Sequence, residues 1–233
     1  MTGHLWLENT IKSYENKNTD SNTNIGNKLQ LPTRPDGTHY ILNEATGIQR
    51  IILYHVFDTI KKWINQSDDY VPFHRIVSGG GGAGKSYLIH QITTTIRQMF
   101  QNNDTVETAA FTGSAAYNIG GRTLHSAYCI NCMKPELEIS QINREKMIRR
   151  MRHTVAILID ERSMLSAEVL GAVERNVSMT CHGGNKYKLK WGGIPIVLLI
   201  GDDYQLPPVQ VMGKGKGAFC AVGYQNIENI ISK

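Results

Sequence analysis

Gly79-Gly80-Gly81-Gly82-Ala83-Gly84-Lys85-Ser86 is the stretch whose reading decides the fold. It fits G-x-x-x-x-G-K-[ST], a loop whose main-chain N–H groups cradle a polyphosphate. The surroundings fit as well. Arg75-Ile76-Val77-Ser78 reads as a short strand entering the loop, and Tyr87-Leu88-Ile89 opens a run with helical apolar spacing. Glycines let the backbone wrap an anion, and the N-terminus of the helix that follows adds positive potential. On this reading the candidate nucleotide contacts run from Gly79, Gly80, Gly81, Gly82, Ala83 and Gly84 through Lys85 and Ser86 to Tyr87. Lys85 reaches the β- and γ-phosphates, and the Ser86 hydroxyl ligates Mg²⁺. A flexible linker would account for the glycines but not for the Lys-Ser pair or for the flanking strand and helix.

Working outward, strand and helix patterns alternate. Residues 47–64 have helical spacing, with Ile48, Ile51, Ile52, Val56, Ile60 and Trp63 on one face. Residues 73–78 form the strand before the loop, and 85–100 the helix after it. Residues 106–111 read as a second strand, followed by a short helix from Ser114 and a Gly120-Gly121 turn. A basic helix spans 140–152, with Ile142, Met147, Ile148 and Met151 facing inward. Residues 155–159 form a strand apolar at every position, hence buried on both faces. A helix capped by Ser166 covers 166–177, and a fourth strand covers 194–200. Such alternation predicts an α/β fold, a mainly parallel sheet flanked by helices. Residues 1–39 are rich in Asn, Thr, Lys and Asp and read as a loosely ordered segment.

The 233 residues carry a formal charge of +5, a modest excess that suits a polyanionic partner without requiring one. No run of eighteen apolar residues is present, so no membrane association is expected, and the first residues lack the pattern of a secretory signal. The expected setting is the nucleus or mitochondrion for a eukaryotic chain and the cytoplasm for a prokaryotic or viral one. Cys129 and Cys132 have C-x-x-C spacing, but Cys181 and Cys220 do not form a second such pair, so reduced cysteines are expected ahead of a zinc site.

Three further stretches carry chemistry. Asp160-Glu161 directly follows the third strand; beside a phosphate loop, Asp160 can hold Mg²⁺ and Glu161 can polarise an attacking water. Gly201-Asp202-Asp203-Tyr204-Gln205-Leu206-Pro207-Pro208-Val209 follows the fourth strand. Gln205 can both donate and accept there, which suits a γ-phosphate or a water; a polar loop with a stiff exit fits the same residues. The segment from Phe111 to Ser126 combines hydroxyls, small residues and glycine amides. A surface approached by nucleic-acid phosphates, with Tyr117 or His125 for stacking, and a tight helix–turn with a packed histidine both suit it.

The motifs in this order resemble the Pif-type DNA helicases of superfamily one, including the helicase portion of Helitron-like transposons. The similar stretches are Gly79–Ser86, Thr112-Gly113-Ser114-Ala115-Ala116-Tyr117-Asn118-Ile119-Gly120-Gly121-Arg122-Thr123-Leu124-His125-Ser126, Asp160-Glu161-Arg162-Ser163-Met164, Trp191-Gly192-Gly193 and Gly201–Val209, within roughly residues 41–211. Asn43 to Gln49 is similar to the adenine-reading Q-motif, usually L-N-x-x-Q, with a wider spacing here. The resemblance implies a RecA-like P-loop NTPase domain over 40–212 that uses ATP and Mg²⁺. It implies catalytic roles for Lys85, Glu161 and Gln205, metal ligation by Ser86 and Asp160, and a coupling role for Asp202. Thr112, Gly113, Asn118, Thr123 and His125 would line the track for single-stranded or forked DNA, with translocation 5′-to-3′. Repair, recombination, telomere maintenance and transposition all suit such an activity. Arg162 replaces a usual apolar residue, and surface solvation is expected for it.

Family helicases carry a second RecA-like domain whose arginine fingers are worth ~10³–10⁵ in rate in related P-loop enzymes. The expectation is that residues 213–233 lead toward that missing domain, and that this chain alone binds Mg-ATP, hydrolyses it poorly and does not unwind DNA.

Overall fold

The computed structural model describes residues 45–131, 134–135, 137–180 and 189–202. Within them five strands form one parallel sheet in the order β1-β5-β4-β2-β3. The strands are β1 Phe73–Ser78, β2 Val106–Ala110, β3 Arg122–Thr123, β4 Ala156–Asp160 and β5 Ile196–Gly201. The helices are α1 Gly47–Ile64, α2 Lys85–Phe100, α3 Gly113–Asn118, α4 Leu124–Ala127, α5 Gln141–Met151 and α6 Ala167–Thr180. The α/β architecture is therefore the one the alternation predicts. The expected N-terminal segment 1–39, the boundary at 212 and the segment 213–233 lie outside the described residues.

Strand pleat explains the two cores. In β4, Ala156 and Leu158 belong to one buried cluster and Ile157 and Ile159 to the other. In β5, Ile196, Leu198 and Ile200 alternate with Val197 and Leu199 in the same way. Up to their carboxyl ends, β4 and β5 are apolar at every position because helices cover both faces. On one face Leu53, Val56, Phe57 and Ile60 of α1 pack with Leu88, Ile89, Ile92 and Ile96 of α2. On the other, Met147 of α5 packs with Leu170, Val173 and Val177 of α6 and with the fully buried Trp191.

Several local expectations need correction. Ile48 and Ile51 are 73% and 57% exposed, because the buried stripe of α1 runs through Gln49, Leu53, Val56, Phe57 and Ile60. The polar Gln49 takes the inward position that an apolar pattern would have given to Ile48. Ile142 in α5 is exposed for a similar reason: Met147 and Met151 alone face the core there. The two-residue β3 carries no periodic signal and was not anticipated. Arg162, expected on the solvated surface, is 4% exposed.

Candidate functional site

Because the strands are parallel, their carboxyl ends lie along one edge of the sheet. Ser78 pairs with Gly201, and Ala110 pairs with Asp160. The chain therefore leaves β1, β2, β4 and β5 at that edge, where ligands of open α/β sheets bind. The Gly79 N–H donates to the Gly201 carbonyl at 3.0 Å, tying the start of the glycine loop to the end of β5.

The loop is open above Gly80, Gly81 and Gly82, where an added Cβ would meet nothing within 4 Å. At its end Gly84 has φ +78°, a left-handed conformation that favours glycine, and a Cβ there would collide with the Gln49 amide nitrogen. Gly84 is also the N-cap of the sixteen-residue α2 and offers no side-chain cap, so no cap side chain accepts from the first N–H groups of that helix. The Lys85 ammonium arches back over the loop, donating to the Gly79 carbonyl at 2.7 Å and the Gly80 carbonyl at 2.9 Å. Ser86 is half-buried at the helix start. Tyr87 points the other way: its side chain is buried in the core, so only its main chain is available to a nucleotide.

Gln49 reaches the loop from α1. Its Nε2 donates to the Ala83 carbonyl at 3.1 Å and the Gly84 carbonyl at 3.4 Å. Its Oε1 accepts from the Thr46 N–H at 2.8 Å, while the Gln49 N–H donates to Thr46 Oγ1 at 3.4 Å, a reciprocal capping box. The resemblance gave Gln49 an adenine-reading role; here each end of its amide also bonds to the protein, and Oε1 keeps a second acceptor site.

At the end of β4, burial is the main influence on Asp160 and raises its pKa above the ordinary carboxylate value, with the Glu161 N–H hydrogen bond acting in the opposite sense. That bond, to Asp160 Oδ1, is 2.9 Å. Glu161 sits at φ 56°, ψ 41°, an uncommon left-handed conformation for a residue with a side chain. Its Oε2 accepts two hydrogen bonds from Thr112, from the N–H at 3.0 Å and from Oγ1 at 2.7 Å. Thr112 Oγ1 also accepts from the Ala115 N–H at 3.3 Å and so caps α3. Arg162 packs against Gly201 and donates to Ser78 Oγ at 2.9 Å, joining the ends of β1, β4 and β5 beside the loop. Sequence reasoning missed this bridge, since a charged residue gives no periodic sign of burial.

The segment after β2 is mixed. Gly113 and Asn118 are exposed, and Tyr117 is 86% exposed. Thr123 ends β3. His125 is half-buried and stacks edge-on to Phe111 at 5.8 Å, so it is partly a packed histidine. Asp202 is buried. Gln205 and the Pro207-Pro208 exit lie outside the described residues, as do Cys132, Cys181 and Cys220. Among the described residues no group of three or more His, Cys, Asp or Glu could hold a metal ion, and no helix is long and apolar enough to cross a membrane.

A model of the PIF1-like helicase family matches residues 51–226. The ATP-dependent DNA helicase PIF1 of Candida albicans is 32% identical over 179 residues, which cover 76% of this chain and 18% of that protein. The crystal structure of a Pif1 helicase from Candida albicans superposes with a TM-score of 0.54 at 29% identity, covering 71% of this chain and 34% of that one. A Pif1 structure described as showing DNA unwinding at forked double-stranded DNA by two coordinating helicases gives a TM-score of 0.50 at 26% identity, over 66% of this chain and 35% of that one. The chain thus spans about a fifth to a third of the relatives it matches.

Proposed function

The chain belongs to the PIF1-like helicase family, and on that premise we propose that it is the first RecA-like motor domain of an ATP-dependent DNA helicase. In the full protein, ATP hydrolysis would drive 5′-to-3′ movement on single-stranded DNA. The observation that carries this reading is the open glycine loop ahead of an uncapped α2, with Lys85, Ser86 and Asp160 at the same sheet edge. These groups suit a magnesium-bound triphosphate. Loop and helix N–H groups would donate to its oxygens, and Lys85 would exchange its two carbonyl partners for phosphate. Ser86 and Asp160 would hold Mg²⁺, which supplies positive charge against the phosphates. That charge also relieves the cost of keeping the buried Asp160 ionised.

Glu161, one residue beyond Asp160, would orient and deprotonate a water, and both this role and the γ-phosphate-sensing role of Gln205 come from the family resemblance. Exposed Gly113 and Asn118, with Thr112, Thr123 and His125, form the proposed contact surface for single-stranded or forked DNA. The nuclear or mitochondrial setting, or the cytoplasm of a prokaryote or a virus-infected cell, follows the same reading. The test is binding of Mg-ATP and of labelled oligo(dT) by the chain, each measured with and without the other. Mg-ATP binding together with oligo(dT) binding that changes with Mg-ATP supports a DNA-linked motor domain, and binding of neither contradicts it.

A further inference from the structure

We propose that the cleft at the outer edge of β2 is a second phosphate site, which holds a backbone phosphodiester of a DNA strand bound along residues 112–126. The proposal rests on the DNA-binding reading above and deepens it, because it adds groups from α2, β2 and α5 to that surface.

The sheet leaves this edge partly open. β3 pairs only with Ala109 and Ala110, so among the described residues no strand lies beyond Val106, Glu107 and Thr108 of β2. A cleft of about 210 Å³ lies there, lined by Arg97 of α2, Arg122 of β3 and Arg150 of α5, with the acidic Asp104 and Glu107. Gly121 brings the chain against β2: a Cβ there would collide with the Thr108 carbonyl oxygen, and Arg122 follows at the rim, exposed.

The donors in the cleft exceed the acceptors. Arg97 Nη2 donates to the Val106 carbonyl at 3.3 Å, and Arg150 Nη2 donates to the Ala127 carbonyl. Arg150 Nε also lies 3.4 Å from Glu107 Oε2, an ion pair without hydrogen-bond geometry. The Nε of Arg97 and the Nε of Arg150 are both buried, and neither has a hydrogen-bond acceptor among the described residues. Buried donors are seldom left so, and guanidinium N–H groups match phosphate oxygens. Burial lowers the pKa of Arg97, with Glu107 and Asp104 acting in the opposite sense, and a further anion would offset that burial.

Charge and position select the anion. Three arginines against two carboxylates leave one positive charge in the cleft. A phosphodiester is a monoanion and balances it. Arg122 pairs with Ala109, three residues before Thr112, so the rim lies about 10 Å along the strand from the proposed DNA contacts. One bound strand can meet both.

The test measures oligo(dT) affinity against salt concentration for the wild-type chain and Arg122→Gln. Each neutralised phosphate of a single strand contributes about 0.7 to the slope of log affinity against log salt. Arg122→Gln should lower the slope by about that amount and weaken binding several-fold at low salt. Arg149→Gln makes the same charge change at an exposed α5 residue outside the cleft, and should leave the slope unchanged. Asp104→Asn removes a negative charge from the cleft and should tighten binding. Should Arg122→Gln fail to fold, Asp104→Asn decides, and unchanged affinity there contradicts the proposal.

Equal slopes in the wild type and Arg122→Gln overturn the proposal. An equal fall in Arg122→Gln and Arg149→Gln overturns it in favour of diffuse attraction by the chain's positive charge. Inorganic phosphate is titrated into the same proteins; phosphate binding lost in Arg122→Gln with oligo(dT) slopes unaltered assigns the cleft to a free phosphate instead. A wild-type chain that binds Mg-ATP but no oligo(dT) overturns this proposal and leaves the nucleotide-binding reading standing. Binding of neither refutes both.

Discussion

Two threonine caps in this domain begin alike and end differently. At the start of α1, Thr46 caps the helix and Gln49, three residues on, returns the favour to the Thr46 N–H. At the start of α3, Thr112 caps the helix, but the residue three positions on is Ala115, which has no polar side chain. The Thr112 N–H therefore goes to Glu161, 49 residues away. The first corner is closed by local sequence and fastened to the glycine loop. The second is closed only by the fold, and it joins the candidate catalytic carboxylate to the segment proposed to meet DNA. Both corners tie distant elements together, but the first cap is complete before its tie to the loop is made, whereas the second needs the distant carboxylate to complete it.

The comparison can be broken most severely at the α1 corner. Gly84→Val places a branched side chain at φ +78° and against Gln49. It should cost roughly 3 kcal/mol or more in chemical denaturation and abolish measurable ATP binding. Retention of near wild-type stability would mean that the two are not fitted together.

Removing each threonine hydroxyl sharpens the contrast. Thr112→Val loses both a cap and a donor to a carboxylate, at about 2 kcal/mol, whereas Thr46→Val loses a cap alone, at about 1 kcal/mol. Denaturation curves giving the reverse order would show that the distant closure adds nothing.

Asp160→Asn tests the second corner with the opposite sign. The neutral amide can still accept from the Glu161 N–H but carries no buried charge, so the nucleotide-free domain should gain up to about 1 kcal/mol at pH 7. Mg²⁺ should then no longer tighten ATP binding, as titrations with and without the ion would reveal.

The smallest effect lies away from both corners. Burial lowers the pKa of His74, whose Nε2 lies 2.8 Å from the Ile194 carbonyl. Since the folded pKa lies below the unfolded one, the unfolded chain takes up a proton first as pH falls. Stability should thus decline from about pH 6.5 downward, by less than about 1 kcal/mol at first. His74→Gln should flatten that part of the melting-temperature profile, leaving the His90 contribution of the same sign.

What the sequence could reveal follows from the same distinction between local and distant closure. The limits of α1, β1 and α2 were legible because glycine, polar breaks and apolar spacing mark them within a few residues. So was Asp160-Glu161, set at the end of a strand apolar at every position. The facing of α1 was not legible, because an inward Gln49 breaks the apolar stripe and leaves Ile48 and Ile51 outside. Nor was β3, whose two residues are too short for a period and owe their strand geometry to β2. Arg162 was misread as solvated, since only the convergence of three strand ends gives its guanidinium the Ser78 hydroxyl to bond with. The tie between Thr112 and Glu161 depends on β2 and β4 being neighbours, a fact of topology that no spacing encodes.

Calorimetric titration of ATP with Mg²⁺ into the wild-type chain and Lys85→Ala tests the central assignment most directly. The account predicts saturable binding at one site, weakened at least about tenfold when the ammonium that now caps the Gly79 and Gly80 carbonyls is removed. Equal affinity in the two proteins, or no binding by the wild type, would contradict it.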